Sequence, residues 1–236
     1  MAALVPGDLA TRIASVRERV AAACTRARRA PDGVRVVAVA KRMPAALVRE
    51  ATAAGVDIIG ENYLQEAQAK RADLADIPEI EWHFIGRVQR NKAARLADFA
   101  LVHSVADLGI ATALDRAAAA RALRVSVLLQ VNLSGETTKD GATEADLPPL
   151  LEDIRGLPHV RVVGLMTMPP PLPPEEVRPM FAALRELRDR QQAASELREL
   201  SMGMSGDFEV AIEEGASLVR VGTAIFGPRM TKGRMD

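Results

Sequence analysis

The chain contains a single cysteine in 236 residues, which excludes an internal disulfide. Cys24 lies in an alanine-rich helical stretch with no histidine near it in sequence, so a buried thiol is expected there and not a nucleophile. Aromatic residues are also scarce, at five Phe, one Trp and one Tyr. The core must therefore be built from Ala, Val, Leu and Ile, which suits helices covering buried parallel strands better than a sandwich of aromatic cross-strand pairs. Charge of one sign is missing too: 31 Lys and Arg balance 31 Asp and Glu, leaving no global field to gather nucleic acid or an anionic membrane. The strongly apolar runs, such as Val125 to Val131, fall far short of the roughly 20 residues that cross a bilayer. Three histidines without H-x-x-x-H or C-x-x-C spacing give no metal site.

The start of the chain has no basic segment followed by an apolar one; Asp8, Arg12, Arg17 and Glu18 interrupt it within a helical pattern. A cytoplasmic protein is expected, and a monomer by default. Leu9, Ile13, Val16, Val20 and Ala23 recur at three- and four-residue spacing, which predicts an N-terminal helix within residues 7–30. Beyond it, short apolar runs alternate with turns and helical patterns. The strand candidates are Val34 to Lys41, Ile58 to Asn62, Trp82 to Ile85, Leu101 to Ser104, Val125 to Asn132, Val160 to Met168, Leu200 to Met204 and Leu218 to Gly222. Each is apolar enough to be covered on both faces, as parallel strands joined by crossover helices are.

Eight such units make a closed (β/α)8 barrel of the TIM type the economical α/β fold, with a doubly wound open sheet as the alternative. No G-x-G-x-x-G turn follows the first strand, which counts against a dinucleotide fold. No composition shift marks a boundary, so residues 1–236 are expected to form one domain with a frayed tail over 228–236. The prolines of Pro169 to Pro174 are expected to form a stiff loop between a strand and the helix of Val177 to Arg190, in preference to a docking site for a proline-binding module.

Barrel enzymes take their chemistry from the C-terminal ends of strands. Lys41 ends the first run, and the two-residue period places it with Val37 and Val39, opposite Ala38 and Ala40. If that face lines the barrel, desolvation makes the amine a usable nucleophile toward a carbonyl; the alternative is a lysine that snorkels to solvent. Ser201 to Asp207 follows the seventh run and Arg220 to Gly227 the eighth, both rich in glycine and hydroxyls. Loops after strands seven and eight are the recurrent phosphate sites of barrels, and a helix starting near Thr223 would add its positive end. Arg87, Arg90 and Lys92 form a small basic cluster, expected to be a solvated helix start or a second anion contact. Lysine, phosphate cradle and a strand-borne arginine together suggest pyridoxal 5'-phosphate.

At this point six segments in order carry a resemblance: Val37-Ala38-Val39-Ala40-Lys41, Gly60-Glu61-Asn62-Tyr63, Trp82 to Lys92, Gly164-Leu165-Met166-Thr167-Met168, Leu200 to Asp207 and Arg220 to Gly227. Over almost its whole length the sequence resembles the pyridoxal phosphate homeostasis protein family, whose fold is similar to the N-terminal barrel domain of alanine racemase. The resemblance implies that Lys41 forms the aldimine with the cofactor. It also implies that Ser205, Gly222 and Thr223 hold the phosphate, with the Ser201 and Met202 turn alongside, and that Arg220 faces the pyridine nitrogen. Asn62 and His83 would lie in the pocket wall. Arg42-Met43 and Gly206 depart mildly from the family pattern.

A guanidinium keeps its proton, so Arg220 can donate to an unprotonated pyridine nitrogen without protonating it, which weakens the ring as an electron sink. Tyr63, the one tyrosine, is expected on a helix face and not as the second base that racemisation needs. A carrier that holds the aldehyde and supplies it to apo-enzymes is therefore expected, with no catalytic residue assigned. A weak amino-acid racemase and a cofactor-free lysine Schiff-base aldolase remain as alternatives.

Overall fold

The stripe of Leu9, Ile13, Val16, Val20 and Ala23 is buried on one side of α1 (Leu9–Arg26). Asp8 caps that helix, its Oδ1 accepting the Thr11 N–H at 2.8 Å. The helix is shorter than the span expected for it, because Arg28 turns to φ 53 before the 3-10 turn Pro31–Gly33. The computed structural model describes residues 8–135, 140–191 and 195–228. The tail expected over 228–236 thus lies, beyond Pro228, outside the described residues.

After α1 the chain runs β1 (Arg35–Val39), α2 (Ala45–Ala53), β2 (Ile58–Glu61), α3 (Leu64–Asp73), β3 (Glu81–Phe84), a 3-10 segment (Arg90–Arg95) and β4 (Leu101–Val105). It continues with α4 (Leu108–Ala119), β5 (Val125–Gln130), α5 (Leu147–Arg155), β6 (Val160–Met166), α6 (Pro174–Asp189), β7 (Glu199–Met204), α7 (Phe208–Glu213), β8 (Leu218–Val221) and α8 (Thr223–Phe226). All eight expected strands are present. They are parallel, in the order β1 to β8, and the sheet closes where β8 pairs with β1, Val37 lying opposite Arg220. Closure removes the open-sheet alternative and leaves no sheet edge exposed. The proline stretch connects β6 to α6, as expected.

Strand alternation divides the core. Ala38, Ala40, Ile59, Val102, Val127, Val219 and Val221 face outward into the layer shared with the helices. Val37, Ile58, Leu101, Leu128, Met166 and Leu218 form a separate cluster inside the barrel. That inner cluster is small because polar side chains occupy the lumen beside it. Among the described residues no helix is long and apolar enough to cross a membrane.

Candidate functional site

Val37 is an inward residue, and the strand period carries Val39 and Lys41 to the same side at the C-terminal mouth. Lys41 is half-buried, and its amine has no hydrogen-bond or ion-pair partner among the described residues. Gly222 stands directly after β8, and a Cβ placed on it would lie 3.5 Å from Val39 Cβ. On the other flank, Ala40 N–H donates to the Gly60 carbonyl at 3.0 Å, which sets Asn62 beside the end of β1. Asn62 Oδ1 is buried without a hydrogen-bond partner among the described residues.

The loop after β7 is aimed by a bulge. The register slips between the Ser201–Leu218 and Met204–Arg220 pairs, and Gly203 within the slip takes φ 89. A side chain at Gly203 would meet Ala211 Cβ at 2.5 Å, so glycine is required for both conformation and space. Asp207 then fixes the turn, its carboxylate accepting the Met204 N–H at 2.5 Å. Burial pushes the Asp207 carboxyl up, against the pull of Arg220. The turn delivers Ser205 to β8, where its Oγ accepts from Gly222 N–H at 3.2 Å and Ala224 N–H at 3.3 Å. The expected helix at Thr223 is a single turn of four residues, too short for a macrodipole. What this corner offers an anion is the Ser205 hydroxyl, the exposed Thr223 and two N–H groups that here donate to Ser205 Oγ.

Below this mouth a chain of side chains runs through the barrel. Arg220 Nη1 donates to Ser201 Oγ at 2.7 Å and Nη2 to the Thr167 carbonyl at 3.0 Å. Ser201 Oγ is 2.8 Å from His103 Nδ1, His103 Nε2 is 2.9 Å from His83 Nδ1, and His83 Nε2 is 2.8 Å from Glu81 Oε1. Arg35 continues it, reaching Glu81 at 3.5 Å and Glu199 at 3.1 Å at the N-terminal mouth. Its hydrogen bond from His83 holds the Glu81 carboxyl below the usual carboxylate range, so the far end is an anion. Burial drives His103 well below the ordinary histidine value and keeps it neutral. One choice of ring tautomers makes every bond run the same way, from the Arg220 donor through Ser201, His103 and His83 to the Glu81 acceptor. Burial lowers Arg220 to about 10, which still leaves it cationic at neutral pH.

The structure therefore gathers Lys41, Asn62, Ser205, Arg220, Gly222 and Thr223 at one mouth, and it gives the side chains of His83, Ser201 and Met202 other surroundings. Both nitrogens of His83 are taken, so it presents only ring carbon to the pocket. Ser201 Oγ is occupied by Arg220 and His103 and serves as a support for the arginine. Met202 packs with the helices on the outer side of the barrel, so its side chain faces away from the mouth. Arg87 and Arg90 line a cleft of about 430 Å³ beside β3 and β4, where they pair with Asp140 and Asp107. Tyr63 caps α3 and is 46% exposed, its ring 5.9 Å from the Arg42 guanidinium. His103, Glu81 and Thr167 were not singled out from sequence. A histidine within an otherwise apolar strand, Leu101-Val102-His103, was the available signal.

Residues 12–230 match the family described as alanine racemase, N-terminal domain. A pyridoxal phosphate homeostasis protein of Pseudomonas aeruginosa (strain PAO1) is 48% identical over 223 residues, covering 94% of this chain and 96% of that protein. The chain belongs to the pyridoxal phosphate homeostasis protein family. A second member, from Aquifex aeolicus, is 44% identical over 222 residues, covering 92% of this chain and 97% of its own. The family's fold is seen in PipY of Synechococcus elongatus, solved with PLP bound. It is 40% identical, has a TM-score of 0.82, and the match covers 93% of this chain and all of PipY.

Proposed function

We propose that this chain binds pyridoxal 5'-phosphate at the C-terminal mouth of its barrel, holds it as an aldimine on Lys41, and supplies it to apo-enzymes as part of cofactor homeostasis. The observation that carries this reading is that the turn directly after β1 bears Lys41, whose amine has no partner among the described residues, while the neighbouring strand β8 bears the buried, braced guanidinium of Arg220. The mouth suits a phosphorylated aromatic aldehyde on its own terms. The Ser205 and Thr223 hydroxyls can hold the phosphate, and Gly222 N–H and Ala224 N–H, which here donate to Ser205 Oγ, can join them by turning from that hydroxyl to the anion. Arg220 can donate to the ring nitrogen, and Asn62 has a buried polar atom awaiting a partner. Bond formation requires no redox partner: the Lys41 nitrogen replaces the aldehyde oxygen, which leaves as water with the two amine protons.

A carrier role in place of turnover is supported by the donor at the ring. Arg220 holds its own proton, and its buried partners Ser201 and Thr167 provide no acid that would protonate the pyridine. The names of the relatives at 44–48% identity point the same way. Purified protein mixed with pyridoxal phosphate should develop an imine absorption band that borohydride fixes on the peptide containing Lys41. Holo-protein should also deliver cofactor to an apo-enzyme faster than it releases cofactor to buffer. Protein that acquires no such band would falsify the binding reading, while efficient conversion of L- to D-amino acids would overturn the carrier reading.

A further inference from the structure

Three charged residues of the β2–α3 unit converge on the turn that carries Lys41. Lys70, on α3, is 6% exposed, and its Nζ donates to the Ala40 carbonyl at 2.6 Å and to Glu61 Oε1 at 2.6 Å. Glu66, one helical turn earlier and 3.8 Å from Lys70, accepts the Arg42 N–H at 2.7 Å. The peptide groups on both sides of Lys41 are thus gripped by side chains from one helix. Met43 N–H closes the turn on the same Ala40 carbonyl at 3.0 Å.

The turn needs that grip. Arg42 has φ 62, the sign that the third residue of a type II turn takes and that glycine or asparagine ordinarily supplies. Type I and type II turns differ by a flip of their central peptide, here the link from Lys41 to Arg42. Arginine at that place favours the other orientation, so an acceptor fixed on the Arg42 N–H selects the one observed. Burial of the cluster supports the same conclusion. Glu61 is fully buried and its Oε2 has no partner among the described residues, so as a stabilising device the Glu61–Lys70 pair is a poor one. What the pair does accomplish is to hold the Lys70 ammonium against the Ala40 carbonyl.

We propose that Glu66 and Lys70 are positioning residues for Lys41, holding its turn in the one conformation that presents the amine to the aldehyde, with Glu61 as the buried counter-charge that keeps Lys70 in place. The inference rests on the role given to Lys41 above. It separates two events at one mouth: the phosphate corner is built by β7 and β8, whereas covalent capture depends on α3.

The test uses the full chain and two probes, pyridoxal phosphate for capture and pyridoxine 5'-phosphate, which has no aldehyde, for phosphate and ring binding. Glu66→Ala should slow the rise of the imine band at saturating pyridoxal phosphate by at least about tenfold, as expected when a reacting group loses its placement. Its affinity for pyridoxine phosphate should stay within about twofold of wild type, because no phosphate or ring contact is touched. Glu66→Gln keeps an acceptor and should retain the rate. Adding Arg42→Gly to Glu66→Ala should recover part of it, since glycine adopts the positive φ unaided. The double variant Glu61→Leu with Lys70→Met removes the other half of the clamp without stranding a buried charge, and decides the matter if Glu66→Ala does not fold. Unchanged capture in Glu66→Ala, or equal losses with both probes, overturns the positioning role. Wild-type protein that gains no borohydride-fixable bond at Lys41 overturns the reading beneath it, a result visible before any variant is made.

Discussion

Arg220 donates to Ser201 Oγ at 2.7 Å, and that hydroxyl is shared with His103 Nδ1 at 2.8 Å, so the cation at the mouth is braced from inside the barrel. The chain ends on Glu81, an anion at the opposite mouth. A buried guanidinium is costly unless its donors find partners. Here hydrogen-bonded side chains link it to the Glu81 anion at the far mouth, while the buried Asp207 carboxyl in the turn after β7 adds a nearer coulombic attraction.

Ser201→Ala removes an acceptor from a buried guanidinium donor and a partner from His103. Unfolding in urea should show a loss of about 1–3 kcal/mol, the cost of leaving buried polar groups unsatisfied. Ser201→Thr keeps the hydroxyl and should lose less. Equal stability of Ser201→Ala and wild type would remove the bracing role.

The depressed pKa of His103 sets a pH dependence whose sign is fixed. Burial disfavours its protonated form, so below the ordinary histidine value, about 6.5, the unfolded chain binds a proton that the folded chain refuses. Stability from this residue is complete above that pH and declines as pH falls, by about 1.4 kcal/mol per unit while folded His103 stays neutral. Glu61 and Asp207, raised by burial, act in the opposite direction at acid pH but are common to both proteins in a comparison. Between pH 6.5 and 5.5, wild type should therefore lose more stability than His103→Gln. Parallel stability curves would show that His103 charges as freely folded as unfolded.

Thr223 is exposed, so Thr223→Ala should change unfolding free energy by less than about 0.5 kcal/mol. If its hydroxyl helps hold the phosphate, pyridoxal phosphate retention should weaken by about 1–3 kcal/mol, measured by competition dialysis. Identical retention would place the phosphate on Ser205 and the two N–H groups alone.

Gly86 follows β3, and a Cβ there would fall 2.0 Å from the Asn62 carbonyl oxygen, a backbone atom that cannot swing away. Gly86→Ala should cost about 1–3 kcal/mol through forced displacement of the β2 end. Because that displacement moves Asn62, cofactor affinity should fall in the same variant, as read by denaturant midpoint and by titration. A change in stability alone would separate Asn62 from the site.

Lys41, Asn62, Ser205, Arg220, Gly222 and Thr223 were legible as candidates because they sit at strand ends or in the turns just after them, where local pattern is strong. His83, Ser201 and Met202 were harder to judge because their roles depend on which side of a strand faces the lumen and what else arrives there. The relay joins His103 to a serine 98 residues later, a contact that no local spacing announces. The clamp on Lys41 was likewise hidden: Gly60-Glu61-Asn62-Tyr63 was legible as a motif, but not that Glu61 acts through Lys70, and Glu66 directly, on the turn after the neighbouring strand.

By itself, then, the sequence determined the eight strands, the apolar helix stripes, the lysine at the end of β1 and the glycine-rich turns after β7 and β8, since each arises from periodicity or backbone freedom within a few residues. Only the tertiary structure decided how charge is disposed. Barrel closure brought β8 against β1 and put Arg220 at the head of a histidine chain ending on Glu81, while α3 docked two charged side chains onto the peptides flanking Lys41. Both outcomes are settled by desolvation: a buried ionic or polar group takes whatever partner the closed barrel delivers to it, and sequence distance has no bearing on which partner that is.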